Sequence, residues 1–370
     1  MKPEVLIIQR FFYNFREGFF DYLHERKVNF QLINSTRSLG RVTVHQSVHS
    51  KPYVKPVPFF TMGLNYVVFP FLLFHLCIIR PAWIITEGGQ NTINNLQILL
   101  YHFITGKHYI LWDLGKGYDE FPNTFSRKLY MFFYKLTLKK ADHIYTYNTA
   151  GKEYFVSLGM GSSKILVLNN TVDTRKIKRI QEKFAGVIPL ELEPLENQNL
   201  VKLIFVGALL PSKNIEDLKD LMDLLGDKYY LILVGDGEKE YRNKLFKLFE
   251  GTNSKFVGYK KIDEIAPYYN TASFAILPGL GGLSINQAMA FGLPVICRSA
   301  DGAEKDLILQ DKTGFIYSSL QDAANYIKSK DIESWKQMGK QAESLIYSEH
   351  SLESMTERFL SLMSIKGISI

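Results

Sequence analysis

Four times between Val201 and Pro278 an apolar run of strand length stops at a glycine or proline and gives way to a helical pattern. The runs are Val201–Gly207, Tyr230–Gly235, Lys255–Gly258 and Phe274–Pro278, and a fifth follows at Pro294–Cys297. Runs this short, spaced by amphipathic segments such as Ile215–Leu225 and Lys239–Phe249, read as strands alternating with helices. Parallel strands need a long crossover, and a helix is the usual one. The chain is therefore expected to build parallel sheets with helices on both faces, whose ligands sit at the carboxyl ends of the strands.

The first half reads the same way. Val5–Ile8, Val28–Ile33, Ala82–Thr86, Tyr109–Trp112 and Ala141–Thr146 are strand candidates, and Gly18–Arg26, Thr92–Thr105 and Phe125–Lys140 are helix candidates. With 370 residues, the expected fold is α/β with two Rossmann-like domains facing each other across a cleft. The first is expected at 1–170, a polar linker with one short helix at 171–199, and the second domain at 200–345. Residues 346–370 hold a closing helix, Ser351–Met363, expected to return to the first domain.

Charge divides along the same line. Residues 1–180 carry 23 Lys and Arg against 11 Asp and Glu, and the remainder carries 21 against 26, so a basic half precedes an acidic one. The basic half also holds the aromatic runs Phe11-Phe12-Tyr13 and Tyr130–Tyr134. Nucleic acid and an anionic membrane face both suit such a surface, and charge alone does not choose. Leu64–Ile79 is apolar for 16 residues but contains Asn65, Pro70 and His75. A span needs about 20 apolar residues, so a buried or interfacial helix is expected there. The N-terminus lacks the long apolar stretch of an export signal. Cys77 and Cys297 are the only cysteines. They make no disulfide framework, and a cytoplasmic protein is expected.

The densest chemistry lies in Leu277–Ile296, where a strand end, a glycine loop, a helix and another strand follow in turn. Gly279, Gly281 and Gly282 allow the backbone close to a ligand. A helix beginning near Leu283 and Ser284 aims N–H groups and its positive dipole end at that loop, an arrangement suited to a phosphate or diphosphate. Gln287, four residues beyond Leu283, shares its face and offers an amide to a ribose hydroxyl. The competing reading is a glycine turn kept short for packing.

This stretch resembles the donor-binding signature of the group 1 glycosyltransferases, the retaining family-four enzymes of the GT-B fold. The order of the remaining pieces resembles that family too: Phe205–Leu209 with Lys213-Asn214, Val234–Gly237, Phe256–Gly258, Asp301-Gly302, Asp306–Ile308 and Thr313–Phe315. Val167–Asp173 is similar to its interdomain segment. The resemblance implies donor binding by Gly18, Gly207, Lys213, Gly235, Gly258, Tyr259, Gly281, Gly282, Leu283, Ser284 and Gln287. Lys213 and Asp113 are the candidate catalytic groups, the latter within Trp112–Gly117 at a strand end. Arg16, Glu87 and Trp112 are the candidate acceptor-side residues. Three positions depart from the family pattern: Gly279 and Gln287 stand where it has glutamates, and Ala208 stands where it has an arginine.

The implied chemistry is sugar transfer from a nucleotide diphosphate donor to a glycan or lipid-linked glycan, with anomeric configuration retained. Fixed N–H dipoles and Lys213 would stabilise the leaving diphosphate, whose own oxygen accepts the acceptor proton. No cofactor or metal is expected, and nucleic acid is not an expected partner. The expected pathway is cell-surface polysaccharide biosynthesis, with peripheral contact at the inner face of an anionic membrane. GxxxxGK[ST] is absent and Gln9-Arg10-Phe11-Phe12 follows the first strand instead of GxGxxG, against a P-loop nucleotidase or a dehydrogenase. A sugar-nucleotide epimerase and a degenerate, non-catalytic nucleotide-sugar binder or partner protein stay as alternatives.

Overall fold

The computed structural model describes residues 2–35, 48, 50–62, 66–115, 125–195, 199–300 and 302–363. Lys116, Gly117 and Asp301 lie outside the described residues. Contacts divide the chain into two units, one of residues 1–170 with 355–370 and the other of residues 171–354.

In the first unit the strands are β1 (Val5–Phe11), β2 (Phe30–Ser35), β3 (Val54–Lys55), β4 (Phe60–Met62), β5 (Tyr66–Val68), β6 (Trp83–Glu87), β7 (His108–Trp112), β8 (His143–Thr146) and β9 (Ile165–Val167). Seven of them make one parallel sheet in the order β3-β2-β1-β6-β7-β8-β9. Ile7 pairs with Leu32 on one side and Ile85 on the other. The helices are α1 (Glu17–Glu25), α2 (Leu72–Ile79), α3 (Thr92–Thr105), α4 (Phe125–Lys140) and α5 (Thr149–Ser157). Leu6, Ile8, Ile84, Tyr109, Leu111 and Ile144 are buried in the core, as strands covered on both faces require.

Leu64–Ile79 is not one helix. Tyr66–Val68 forms β5, antiparallel to β4, and only Leu72–Ile79 is helical; Leu64 and Asn65 lie outside the described residues. Pro70 explains the break, because proline removes a helix hydrogen bond and biases its predecessor toward extended backbone. The apolar side chains of α2 are also not all buried, Phe74 being 64% exposed.

The second unit contains α6 (Thr174–Lys183), β10 (Val201–Val206), α7 (Asp217–Leu225), β11 (Tyr229–Val234), α8 (Lys239–Leu248), β12 (Ser254–Gly258), α9 (Ile262–Thr271) and β13 (Phe274–Leu277). It continues through α10 (Leu283–Ala290), β14 (Val295–Arg298), α11 (Ala303–Leu307), β15 (Gly314–Tyr317), α12 (Leu320–Lys328) and α13 (Ile332–Glu349). Its parallel sheet runs β12-β11-β10-β13-β14-β15, the order in which dinucleotide-binding sheets reverse direction between their first and fourth strands. That reversal falls between β10 and β13, where Ile204 pairs with Ala275. The last helix, α14 (Leu352–Ser361), spans the residues at which the chain passes between units.

The stretch 171–199 carries the ten-residue helix α6, capped by Asp173 accepting from the Lys176 N–H. Its Ile177 and Ile180 enter the core of the second unit. Ile177→Ala is expected to lower unfolding free energy by about 2–4 kcal/mol in a urea titration, the usual loss for a buried aliphatic side chain. A loss below about 0.5 kcal/mol would instead describe a surface tether.

Candidate functional site

The sequence places a glycine after β10, β11 and β12 and three more after β13, and the parallel sheet delivers all of them to one edge. At that edge the backbones touch. Gly207 N–H donates to Val234 O at 3.0 Å, and Gly235 N–H donates to Gly258 O at 2.9 Å. Gly235 has φ +154°, and a Cβ there would lie 1.9 Å from the Gly207 carbonyl oxygen, so only glycine fits. Ser284 Oγ stands 3.9 Å from where a Cβ on Gly207 would project. Gly207, Gly235 and Gly258 thereby lie along one edge of the sheet, with Ser284 beside Gly207 next to the reversal between β10 and β13. Tyr259, next along from Gly258, is 70% exposed at the rim.

Helix α10 begins at this edge. Its N-cap is Gly282 with φ 52°, and no side chain caps it. Ile285, Asn286, Ala288 and Met289 are buried, while Leu283, Ser284 and Gln287 form its half-exposed face. The first turn of a helix leaves N–H groups without intrahelical partners, and an oxyanion is a natural one. Lys213 reaches the same loop from the 3-10 turn Pro211–Lys213, its ammonium donating to the Leu280 carbonyl. The Leu280 N–H donates back to Ser212 O at 3.2 Å. A cation, a helix N-terminus, a hydroxyl and an amide thus share one glycine-lined edge.

The substitution at Gly279 has a geometric counterpart. A Cβ at this position would lie 2.6 Å from the Lys213 carbonyl carbon and 2.6 Å from Ser212 O. The Lys213 turn therefore occupies the space that the family's glutamate side chain would leave through. Ala208, another of the three departures, is exposed just beyond β10. Glu304, unremarked in the sequence reading, is buried, and its carboxylate accepts from Ala300 N–H and Gly302 N–H at 2.8 and 2.9 Å. The only signal for it was a carboxylate two residues beyond Gly302.

The first unit gathers its candidates at the carboxyl ends of β1, β6 and β7. Glu87 is buried and accepts from Arg10 twice, from the backbone N–H at 3.0 Å and from Nε at 3.1 Å. Asp113 is buried too, accepting from Gly115 N–H at 3.0 Å and the Tyr134 hydroxyl at 2.9 Å. Those bonds hold its own loop against α4. Arg16 is buried with its guanidinium carbon 4.0 Å from the Trp112 ring centroid. Gly18 sits half-buried in the first turn of α1. Arg10, Tyr134 and Tyr147 are the neighbours that sequence reasoning missed, since their contacts join distant strands and helices. Among the described residues, no three His, Cys, Asp or Glu side chains are grouped to hold a metal ion.

Residues 192–348 match the family described as glycosyl transferases group 1. That region of the chain is similar to this family. Sulfoquinovosyl transferase SQD2 of Arabidopsis thaliana is 32% identical over 150 residues, covering 38% of this chain and 29% of that protein. An uncharacterised glycosyltransferase of Haemophilus influenzae is 31% identical over 135 residues, 34% of this chain and 36% of that one. The chain thus spans about a third of the length of these relatives. Among solved structures, Anabaena HepE in complex with UDP has a TM-score of 0.74 at 15% identity, over 98% of this chain and 99% of that one. Sucrose-phosphate synthase from Thermosynechococcus elongatus has a TM-score of 0.71 at 14% identity, over 97% and 98%. These likenesses show the fold, which is GT-B with two parallel Rossmann-like sheets.

Gly279→Ala is expected to cost about 1–3 kcal/mol, because the Lys213 turn must move to admit the methyl group. Urea unfolding checks this; an unchanged midpoint would show that the turn yields freely.

Proposed function

We propose that this chain is a retaining glycosyltransferase that moves a sugar from a nucleotide diphosphate donor to a glycan or lipid-linked glycan acceptor, in the building of cell-surface polysaccharide. The observation that carries the reading is the glycine-lined edge of the second unit, with Lys213, the α10 N-terminus, Ser284 and Gln287 around it. HepE, solved with UDP and also with UDP-glucose, makes a UDP-sugar the first donor to try.

In this reading the diphosphate lies against the N–H groups of the Gly282–Leu283 turn, and Lys213 turns from the Leu280 carbonyl to the departing phosphate. Gln287 and Ser284 hold the ribose through an amide and a hydroxyl. The acceptor oxygen attacks the anomeric carbon on the face from which the diphosphate leaves. As that carbon–oxygen bond breaks, the acceptor proton passes to the departing phosphate oxygen, so no side-chain base is required. Fixed dipoles suit this charge migration because they need not reorganise during the reaction. Asp113 acts by holding the loop after β7, and Glu87 by fixing Arg10.

The membrane contact belongs to the first unit. Phe74 and Ile78 on α2, Phe103 and Ile104 on α3, and Phe132 on α4 are all more than half exposed. Lys135, Lys139 and Lys140 are exposed on α4, with Lys140 Nζ 5.5 Å from the Phe103 ring centroid. Apolar rings beside lysines suit an anionic lipid surface. Among the described residues no helix is long and apolar enough to cross a membrane. Cosedimentation with anionic liposomes at low salt is expected for the wild type and is expected to fall in Phe74→Ser/Phe103→Ser; a wild type that stays in the supernatant contradicts the assignment.

Calorimetric titration with UDP tests the donor site. Lys213→Ala is expected to weaken binding by about tenfold or more, the loss of one charge-assisted hydrogen bond, and Gln287→Ala by about fivefold. Binding without turnover of any sugar donor would favour the degenerate-binder reading that Gly279 and Ala208 suggest.

A further inference from the structure

Arg16 is 2% exposed, and four aromatic rings enclose its guanidinium. Trp112 lies 4.0 Å from the guanidinium carbon, and Tyr13, Phe15 and Tyr147 lie 5.4 Å away, measured to ring centroids. One nitrogen, Nη2, donates to the Tyr147 hydroxyl. Nε and Nη1 are buried without a hydrogen-bond partner, and so is the indole Nε1 of Trp112. Arginine does not give up its proton in proteins, so this is a buried cation with donors left over.

No carboxylate meets its Nε or Nη1. Burial pushes the Tyr13 and Tyr147 phenols well above their ordinary range, so both stay neutral. The Glu87 carboxylate holds Arg10, and Asp113 holds Gly115 and Tyr134. Ring faces attract the cation but offer no lone pair to an N–H. Unmet donors in such a place are costly, and each one calls for a partner that meets it. The covering turn is thin, since Asn14 and Phe15 are exposed.

We infer that Arg16 and the Trp112 indole N–H form an oxyanion site in the first unit, which takes a phosphate or carboxylate group carried by the acceptor. A planar guanidinium is the side chain best matched to either oxyanion. The site stands at the carboxyl ends of β1 and β7, where a sheet of this order receives ligands. The word acceptor rests on the transferase reading; the binding does not.

The test uses the full chain, with inorganic phosphate and glucuronate as separate probes, in thermal melts and calorimetry. The wild type is expected to bind one of them saturably, and the arm that responds names the source of the oxyanion. Arg16→Met is expected to weaken that binding at least about tenfold and to leave UDP binding unchanged. It is also expected to melt higher than the wild type without ligand, because buried donors without partners are gone. Arg16→Lys keeps the charge, so part of the binding and a wild-type melting temperature are expected. The inference is overturned by a wild type that binds UDP but neither probe, or by Arg16→Met melting lower. Loss of UDP binding in Arg16→Met also overturns it, by giving the arginine to the donor. A wild type that binds phosphate or glucuronate but no nucleotide would instead count against the donor reading alone.

Discussion

Parallel strands cannot be joined by tight turns, and the rest of this molecule follows from that constraint. Helices make crossovers in both sheets, as α1 does between β1 and β2 and α7 between β10 and β11, and every strand of a parallel sheet points its carboxyl end toward the same edge. In both sheets the first strand, β1 or β10, lies inside, between its sequence neighbour and a strand reached later. In each sheet, polar groups gather at the carboxyl ends of the first strand and the neighbour reached later. In the second unit those ends carry glycine backbone; in the first they carry the Arg10–Glu87 pair.

The two edges handle charge in different ways. The second unit presents backbone N–H groups, a helix terminus and one lysine, all of which are inexpensive to keep at the surface. The first unit holds its cation inside a ring of aromatic side chains, which raises the electrostatic effect on any anion that reaches it and lowers the stability of the empty protein. A leaving diphosphate needs many weak donors arranged in advance. A single oxyanion needs one strong, shape-matched partner. The proposed donor edge has the first arrangement and the proposed Arg16 site the second.

The strand and helix pattern was legible wherever an apolar run met a glycine, as at Val201–Gly207 and Tyr230–Gly235, because local propensity and burial on both faces agree there. Thr92–Thr105 was legible to its ends, with Gly106 stopping it in a left-handed conformation. The split of Leu64–Ile79 was harder, since β-branched Val67 and Val68 read equally as strand or buried helix until their pairing partner at Phe60–Met62 is known. Helix α6 was obscured by its charges: Ile177 and Ile180 are its only large apolar side chains, and a narrow buried stripe leaves little periodicity. At the site, Lys213 and the Leu277–Ile296 stretch stood out because their residues are close in sequence or in motif order. The enclosure of Arg16 did not, because Trp112 and Tyr147 meet it only through the packing of distant strands in space.

The most direct test of the donor edge is hydrogen–deuterium exchange on the full chain, with and without saturating UDP. The account predicts slower exchange confined to the backbone around Gly207–Lys213, Gly235, Gly258 and Gly279–Gln287. Unchanged exchange in those segments, with UDP demonstrably bound, would place the nucleotide elsewhere and contradict the assignment of this edge.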